Sequence, residues 1–354
     1  MPARKRNAWR VAAERVAEAV SRGRLHPRVT AWADGCGDEP WAIACSGGAD
    51  SIALVLLVWA HWPERRKRCR VLHFNHRLRG KASDQDEAFC RKVCAALGMT
   101  LRVGRWTDAK AGASEAEARE ARFAFFRTEM DKAGARALWT GHQQDDIAET
   151  MLMRIARGSG ASGLAAPRPV QRMADGRVHL RPLLTLGKGE IETMLKTAGV
   201  KWRVDATNSG RKFLRNRMRN VVVPAWREAV TGRDAVRGAA LSRQLIEEDD
   251  EALERWVDEL RPIGARGELR LRRLAGKPRG VVRRAVLRWL AHQGRASTLS
   301  RQALEALIDD VGRGRRTQHS VGADAFAVIG RAEVKFVTTA ERLRGNSTVV
   351  PIDL

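Results

Sequence analysis

"WAIACSGGADSIALVLL", residues 41–57, decides how the rest of the chain is read. An apolar run of strand character meets an apolar run of helix character. The seam between them carries Ser46, Gly47, Gly48, Ala49, Asp50 and Ser51. Two glycines let backbone N–H groups come close to a ligand, and the following helix N-terminus adds donors and a positive dipole end. The hydroxyls of Ser46 and Ser51 add two more donors. The seam therefore predicts a phosphate cradle, and one without the lysine of a Walker loop. Asp50 falls among the expected phosphates, where an unpaired carboxylate would be repelled. A divalent cation or a cationic substrate reconciles the two, which makes Asp50 the candidate metal ligand. The competing reading is a tight strand-to-helix turn in which Asp50 merely caps the helix.

Working outward, the pattern alternates. A helix is expected near 9–22. Strand and helix then follow in turn: "WAIAC" and 50–61, "RVLHFNH" and 83–97, "LRVGRW" and 114–133, "ALWTGH" and 145–157. Such alternation predicts a parallel sheet covered on both faces. Ser114 followed by Glu117 fits a capping box. A Gly- and Pro-rich stretch at 157–170 precedes "VHLRPLL" and a helix near 188–198. Beyond Trp226 the character changes to Arg- and Glu-rich helices at 238–261, 278–292 and 298–311, with a hairpin turning near Gly330. These shifts predict two domains, 1–230 and 238–354, with the boundary near 225–238.

The chain has 354 residues and is 44% hydrophobic, enough to build real cores. Its 65 Lys+Arg against 41 Asp+Glu give +24, a balance that favours a polyanionic partner, nucleic acid first. Five cysteines without repeating CxxC spacing argue against a disulfide framework or a zinc ribbon. Cys90 and Cys94 share a helix face and read as small core residues. No apolar run is long enough to span a bilayer, so a soluble cytoplasmic protein is expected.

In an open parallel sheet, ligands sit outside the carboxyl ends of the strands. Here those ends carry Ser46-Gly47-Gly48, then His73-Phe74-Asn75-His76, then Trp106-Thr107-Asp108, then Gly141-His142. On the helix after "TGH", residues His142, Asp145, Asp146 and Glu149 fall within an arc of roughly 100°. Carboxylates on one stripe beside a phosphate cradle suit Mg²⁺ or an ammonium group, and equally suit the solvated first turn of any helix. Arg211, Lys212, Arg215, Arg217 and Arg219 put five cations into nine residues, a candidate RNA-phosphate contact. The runs Arg65–Arg70 and Glu247–Glu251 read as solvated, and Trp256 and Trp289 as core.

The SGGxDS seam resembles the loop of the PP-loop ATP pyrophosphatases, whose adenine nucleotide alpha hydrolase-like, Rossmann-like fold matches the predicted α/β class. Further stretches narrow the resemblance to bacterial tRNA(Ile)-lysidine synthetases: "HFNHRLRG" at 73–80, "EAEAREARF" at 115–123, "TGHQQDDIAETMLMRIARGSGASGL" at 140–164, "RPLL" at 181–184 and "DATNSGRKFLRNRMRNVVVP" at 205–224. They follow the family's order over about residues 40–225. The resemblance implies ATP and Mg²⁺ as cofactors, and free L-lysine and a tRNA(Ile) with a CAU anticodon as substrates. The wobble cytidine would be adenylated at its C2 oxygen, and lysine would displace AMP to give lysidine.

It also implies roles. Asp146 and Glu149 would handle lysine, and His142 would lie near the ATP phosphates. Arg122 would stabilise a phosphate or the tRNA-bound intermediate. The loop residues 46–51, with His73 and Asn75, would hold the nucleotide. Phe123 stands where the family usually has tyrosine, and the chain has no tyrosine, so only packing is expected there. The C-terminal domain, mainly helical and ending in a short hairpin, would help hold the tRNA. A homodimer is compatible with all of this. The rivals are another PP-loop tRNA modifier such as a thiolase, and a basic RNA-binding module with a decayed ATP site.

Overall fold

The computed structural model describes residues 7–107, 114–204, 214–295 and 298–344. In the first part of the chain α1 (Ala8–Ala19) and α2 (Pro27–Gly35) precede the alternating region. There follow β1 (Trp41–Ala44), α3 (Ala49–His61), β2 (Cys69–Asn75), α4 (Lys81–Leu97), β3 (Thr100–Arg105), α5 (Glu115–Ala133), β4 (Ala137–Trp139) and α6 (Gln144–Ile155). A short α7 (Ala161–Leu164) leads to β5 (Val170–Arg172), β6 (Val178–Leu180) and α8 (Lys188–Thr197).

The strands form one six-stranded sheet in the order β3-β2-β1-β4-β6-β5, parallel except for β5. The expected parallel sheet is present, extended by β6 and β5 from the "VHL" region. β1 lies between β2 and β4, so the strand order reverses at β1. That reversal opens a crevice at the carboxyl ends of β1 and β4. α3 is apolar all round because it is buried all round: every residue from Ser51 to Trp59 is shielded, with α1 and α8 packed against it. α5 begins with the expected capping box, Ser114 and Glu117 each bonding the other's backbone N–H, a motif worth about 1 kcal/mol.

A second capping box, which the sequence reading missed, opens α6. Gln143 Oε1 accepts from Asp145 N at 2.7 Å, and Asp146 Oδ2 accepts from Gln143 N at 2.9 Å. Asp145 then holds the backbone N–H of Lys188 at 3.1 Å and the guanidinium of Arg227 at 2.5 Å. It is an anchor for α6 rather than a member of an open acidic stripe.

After α9 (Leu214–Arg217), a π-helical turn (Met218–Val222) and α10 (Val223–Ala229) comes the long α11 (Ala235–Leu260). The chain divides into two compact units at 247/248, inside α11 and later than the expected 225–238. The reason is packing: Val236, Ala239 and Ile246 of α11 join Ile147, Met151, Leu184 and Val223 in one apolar cluster of the first unit. Glu247, expected in solvent, is 2% exposed and pairs with Arg243 at 2.6 Å.

The second unit, Glu248–Leu354, contains α12 (Arg279–His292), α13 (Arg301–Arg313) and α14 (Thr339–Arg344). Its strands β7 (Leu269–Arg270), β8 (Thr317–Ser320), β9 (Ala325–Ile329) and β10 (Glu333–Thr338) make an antiparallel sheet in the order β7-β10-β9-β8. The expected hairpin is β9–β10, but it is the middle of a four-stranded sheet rather than an isolated tail. Asp250 is buried against Arg284, which also corrects the solvated reading of that acidic run. Trp289 is core, whereas Trp256 is 37% exposed. In the 65–70 run, Arg65 covers Trp41 and Arg66 covers Trp59 with its guanidinium 3.6 Å from the ring centroid, so part of that charge is structural.

Candidate active site

The turn after β1 is built as a phosphate-facing loop. Gly47 has φ +91°, a conformation that side chains rarely adopt, and Gly48 is the N-cap of α3, with no side chain capping the helix. Ser51 works differently from the donor role expected of it. Its Oγ accepts from Ser46 N and Gly47 N, both at 3.1 Å, and donates to Gly48 O at 2.9 Å. It curls the loop and so leaves the free end of α3 to a ligand. Ser46 is exposed, with its hydroxyl 3.1 Å from that of Ser51. Ala49 is the first residue of α3.

From the neighbouring strand, Gly141 presses against this turn. A Cβ there would lie 2.9 Å from the Asp50 carbonyl oxygen and 3.1 Å from Ser51 N. Gly141→Ala is therefore expected to push the β4 end away from the loop, at a cost of about 1–3 kcal/mol. Calorimetric titration with ATP and a thermal melt check this; ATP affinity should fall at least about tenfold. Unchanged values in both would show that the close approach is not needed.

A cavity of about 650 Å³ opens in front of the loop, lined from the ends of β1, β2 and β4 and from α5. It brings together Ser46, Gly48, Asp50, Ser51, His73, Arg122, His142 and Asp146. Six arginines face four carboxylates around it, so the cavity favours an anion overall. Apolar wall is supplied by Phe74, Phe123 and Phe126. Phe123 stacks on His179 with ring centroids 5.6 Å apart, the packing role expected where a tyrosine was not available.

Asp50 departs most from its ordinary behaviour. Burial, then the nearby Asp146, raise its pKa to about 7. Its Oδ1 is buried without a hydrogen-bond partner among the described residues. An orphaned carboxylate oxygen beside an anion cradle fits a hard cation. Mg²⁺ is commonly bound by one or two carboxylates together with substrate phosphates.

His142 is held neutral, its pKa lowered to about 3 by burial against the opposing pull of Asp146. Its Nδ1 lies 2.9 Å from Thr140 Oγ1. His73 is likewise neutral through burial; its Nδ1 donates to Cys45 O at 2.9 Å, which leaves a buried, unpartnered Nε2 on the cavity wall. Asn75 is a different case. Its amide donates to Asp84 and Glu87, and its oxygen accepts from Arg77 N. Those bonds shape the loop after β2, and Asn75 also lines the cavity.

Arg122 makes no ion pair with Glu115 or Glu129. Glu129 is taken by Lys132 at 2.7 Å and Arg102 at 3.9 Å. Burial, with Arg119 and Arg215 nearby, lowers the Arg122 pKa to about 10. Arg119, one turn earlier on α5, lines the same cavity and was missed. The i, i+3 spacing in "REAR" was the available signal.

The carboxylates of α6 are already matched. Asp146 accepts from Arg215 at 2.5 Å, and Glu149, 2% exposed, accepts from Arg215 Nε at 2.9 Å and Arg219 Nε at 2.6 Å. Arg215 and Arg219 were expected on an RNA-facing surface; they turn inward and pair with the α6 carboxylates, whose buried charge would otherwise be uncompensated. Arg217, between them, is exposed. Arg211 and Lys212 lie outside the described residues.

Several curated proteins are similar to this chain. The tRNA(Ile)-lysidine synthase of Geobacter sulfurreducens is 42% identical over 224 residues, 61% of this chain and 46% of that one. That of Symbiobacterium thermophilum is 38% identical over 216 residues, 60% and 44% of the two chains. That of Burkholderia pseudomallei is 35% identical over 279 residues, 78% and 50%. The matched region spans about half the length of these relatives. Among solved structures, a U34-tRNA thiolase from Methanococcus maripaludis with its 4Fe-4S cluster shares the fold, with TM-score 0.50 and 14% identity over 67% of this chain and 78% of that one. Residues 24–226, which include the glycine turn, the cavity lining and the arginine-matched carboxylates, match the PP-loop domain. That is more than half of the chain, and the chain accordingly belongs to the PP-loop family.

Proposed function

We propose that the protein is a tRNA(Ile)-lysidine synthetase, using ATP to adenylate the wobble cytidine of a CAU-anticodon tRNA(Ile) and free lysine to displace AMP. The observation that carries this reading is the cavity itself. One wall is an anion-binding loop with an orphaned Asp50 oxygen, and the adjoining wall holds the buried Asp146 together with Arg215 and Arg219, behind which lies the buried Glu149 that pairs with both arginines. Diphosphate departure and amine entry need those two chemistries side by side.

Within the reading, the turn 46–51 and the end of α3 take the phosphates. Asp50 would hold Mg²⁺, whose charge offsets that of the departing diphosphate. Arg119 and Arg122, which form no ion pair among the described residues, supply positive charge over the rest of the cavity. Asp146 and Glu149 receive the lysine amine, whose ammonium group would share them with Arg215 and Arg219. Similarity to the lysidine synthases above supports this substrate assignment. The +24 charge supports an RNA partner. Among the described residues no helix is long and apolar enough to cross a membrane.

The test is direct. Purified protein with ATP and tRNA(Ile) bearing CAU should release AMP, and turn over repeatedly, only when lysine is present. RNA binding without turnover would instead leave a binding module. The exposed Arg217 offers a separate check on the RNA path. Arg217→Ala should weaken tRNA binding and reduce the salt dependence of log K by about one unit of slope. An identical slope by filter binding across a salt series would place Arg217 off that path.

A further inference from the structure

Directly beneath the phosphate loop lies a cysteine pair that the chemistry above does not use. Cys45 joins β1 to Ser46, and Cys90 sits on α4. Both are buried free thiols with sulfurs 3.8 Å apart. The Cys45 sulfur is also 3.9 Å from Ser51 Oγ, the hydroxyl that curls the loop. A Cβ added at Gly47 would lie 3.4 Å from Cys90 Sγ, so Cys90 forms the floor of the glycine turn. Buried thiols are ordinarily inert. Cys45 differs because it lines the 650 Å³ cavity, where a small oxidant can reach it.

We propose that Cys45 and Cys90 are a disulfide-forming modification site through which peroxide disables the nucleotide loop. The Cys45 sulfur attacks one oxygen of hydrogen peroxide, the O–O bond breaks, and water leaves behind a sulfenic acid. The Cys90 thiol then displaces that hydroxyl as a second water, so two thiols and one peroxide become one disulfide and two waters. The hydrogen bond from the Cys90 thiol draws the Cys45 thiol down against the opposing effect of burial, which suits Cys45 to the attacking role.

A disulfide needs its sulfurs about 2.05 Å apart, so the pair must close by roughly 1.8 Å. The sheet side resists that movement: Cys45 N donates to Leu72 O at 2.9 Å, and Cys45 O accepts from His73 Nδ1. The glycine turn on the other side yields, and with it the Ser51 bonds that set the cradle. Nucleotide in the cavity would shield Cys45.

The experiment follows ATP binding by calorimetry on the full chain before and after hydrogen peroxide, with peptide mapping by mass spectrometry. That readout depends on the ATP loop alone and is independent of the amine and RNA assignments. ATP affinity should fall at least tenfold, with a Cys45–Cys90 cross-link and a mass decrease of two hydrogens, and dithiothreitol should reverse both. ATP added beforehand should protect. Cys90→Ser should keep, after peroxide, the ATP affinity it has untreated, while Cys94→Ser, a turn further along α4, should remain sensitive. Loss of binding without the cross-link, equal loss in Cys90→Ser, a cross-link with binding intact, or no reaction at all would each overturn the proposal.

Discussion

Asp50→Asn should lower turnover by at least about a thousandfold while leaving tRNA affinity nearly unchanged. The size follows from charge: a cation neutralising a departing phosphoryl group is worth several kcal/mol, and about 1.4 kcal/mol is tenfold in rate. Asparagine keeps the shape and removes the anion, so the fold is spared. The pH dependence carries the same signature. Burial raises the Asp50 pKa to about 7, so the free folded protein holds this proton where the unfolded chain has lost it. Its contribution to stability is full below about pH 4 and is lost as the pH rises through about 7. Cation binding has the opposite sign, because it needs the anion. Mg·ATP affinity should therefore strengthen about tenfold per unit up to about pH 7 and then level off. Asp50→Asn should flatten that profile. Turnover within tenfold of wild type, or an unflattened profile, would remove Asp50 from the cation site.

The loop and the electrostatic oddity of Asp50 were legible early because both are local. Two glycines at a strand-to-helix seam dictate backbone geometry, and a carboxylate among expected phosphates is an electrostatic contradiction visible in six residues. Side-chain direction was not legible. Arg215 and Arg219 lie 66 to 73 positions along the chain from the carboxylates they meet, and no local pattern says whether a guanidinium points to solvent or inward. Ser51 and Asn75 fall in the expected neighbourhood, but their internal bonds were not legible, because each satisfies backbone or carboxylate groups that appear only once the loops are folded. The second unit's sheet escaped for a simpler reason. β7 has two residues, and "TQHS" in β8 lacks the apolar alternation that marks a strand.

Glu149→Gln tests whether the buried carboxylates serve the amine or only the fold. In the free protein Asp146 and Glu149 balance Arg215 and Arg219, so removing one negative charge leaves a buried guanidinium uncompensated. Breaking such a pair costs about 3–5 kcal/mol, so the melting temperature should drop and lysine-dependent turnover should fall at least about a hundredfold. A fall in both could be structural alone. The double variant Glu149→Gln with Arg219→Gln separates the causes, since it removes one charge of each sign and restores the balance. Stability should recover in large part, while lysine-dependent turnover should stay low because the ammonium group still lacks its second carboxylate. Melting curves and the lysine KM, measured on the wild type, the single variant and the double variant, decide between these outcomes. If the double variant regains both stability and lysine turnover, Glu149 is a fold residue and the amine is held elsewhere. If it regains stability alone, the carboxylate acts on the substrate directly, and the arginines are the charges with which an incoming amine must compete.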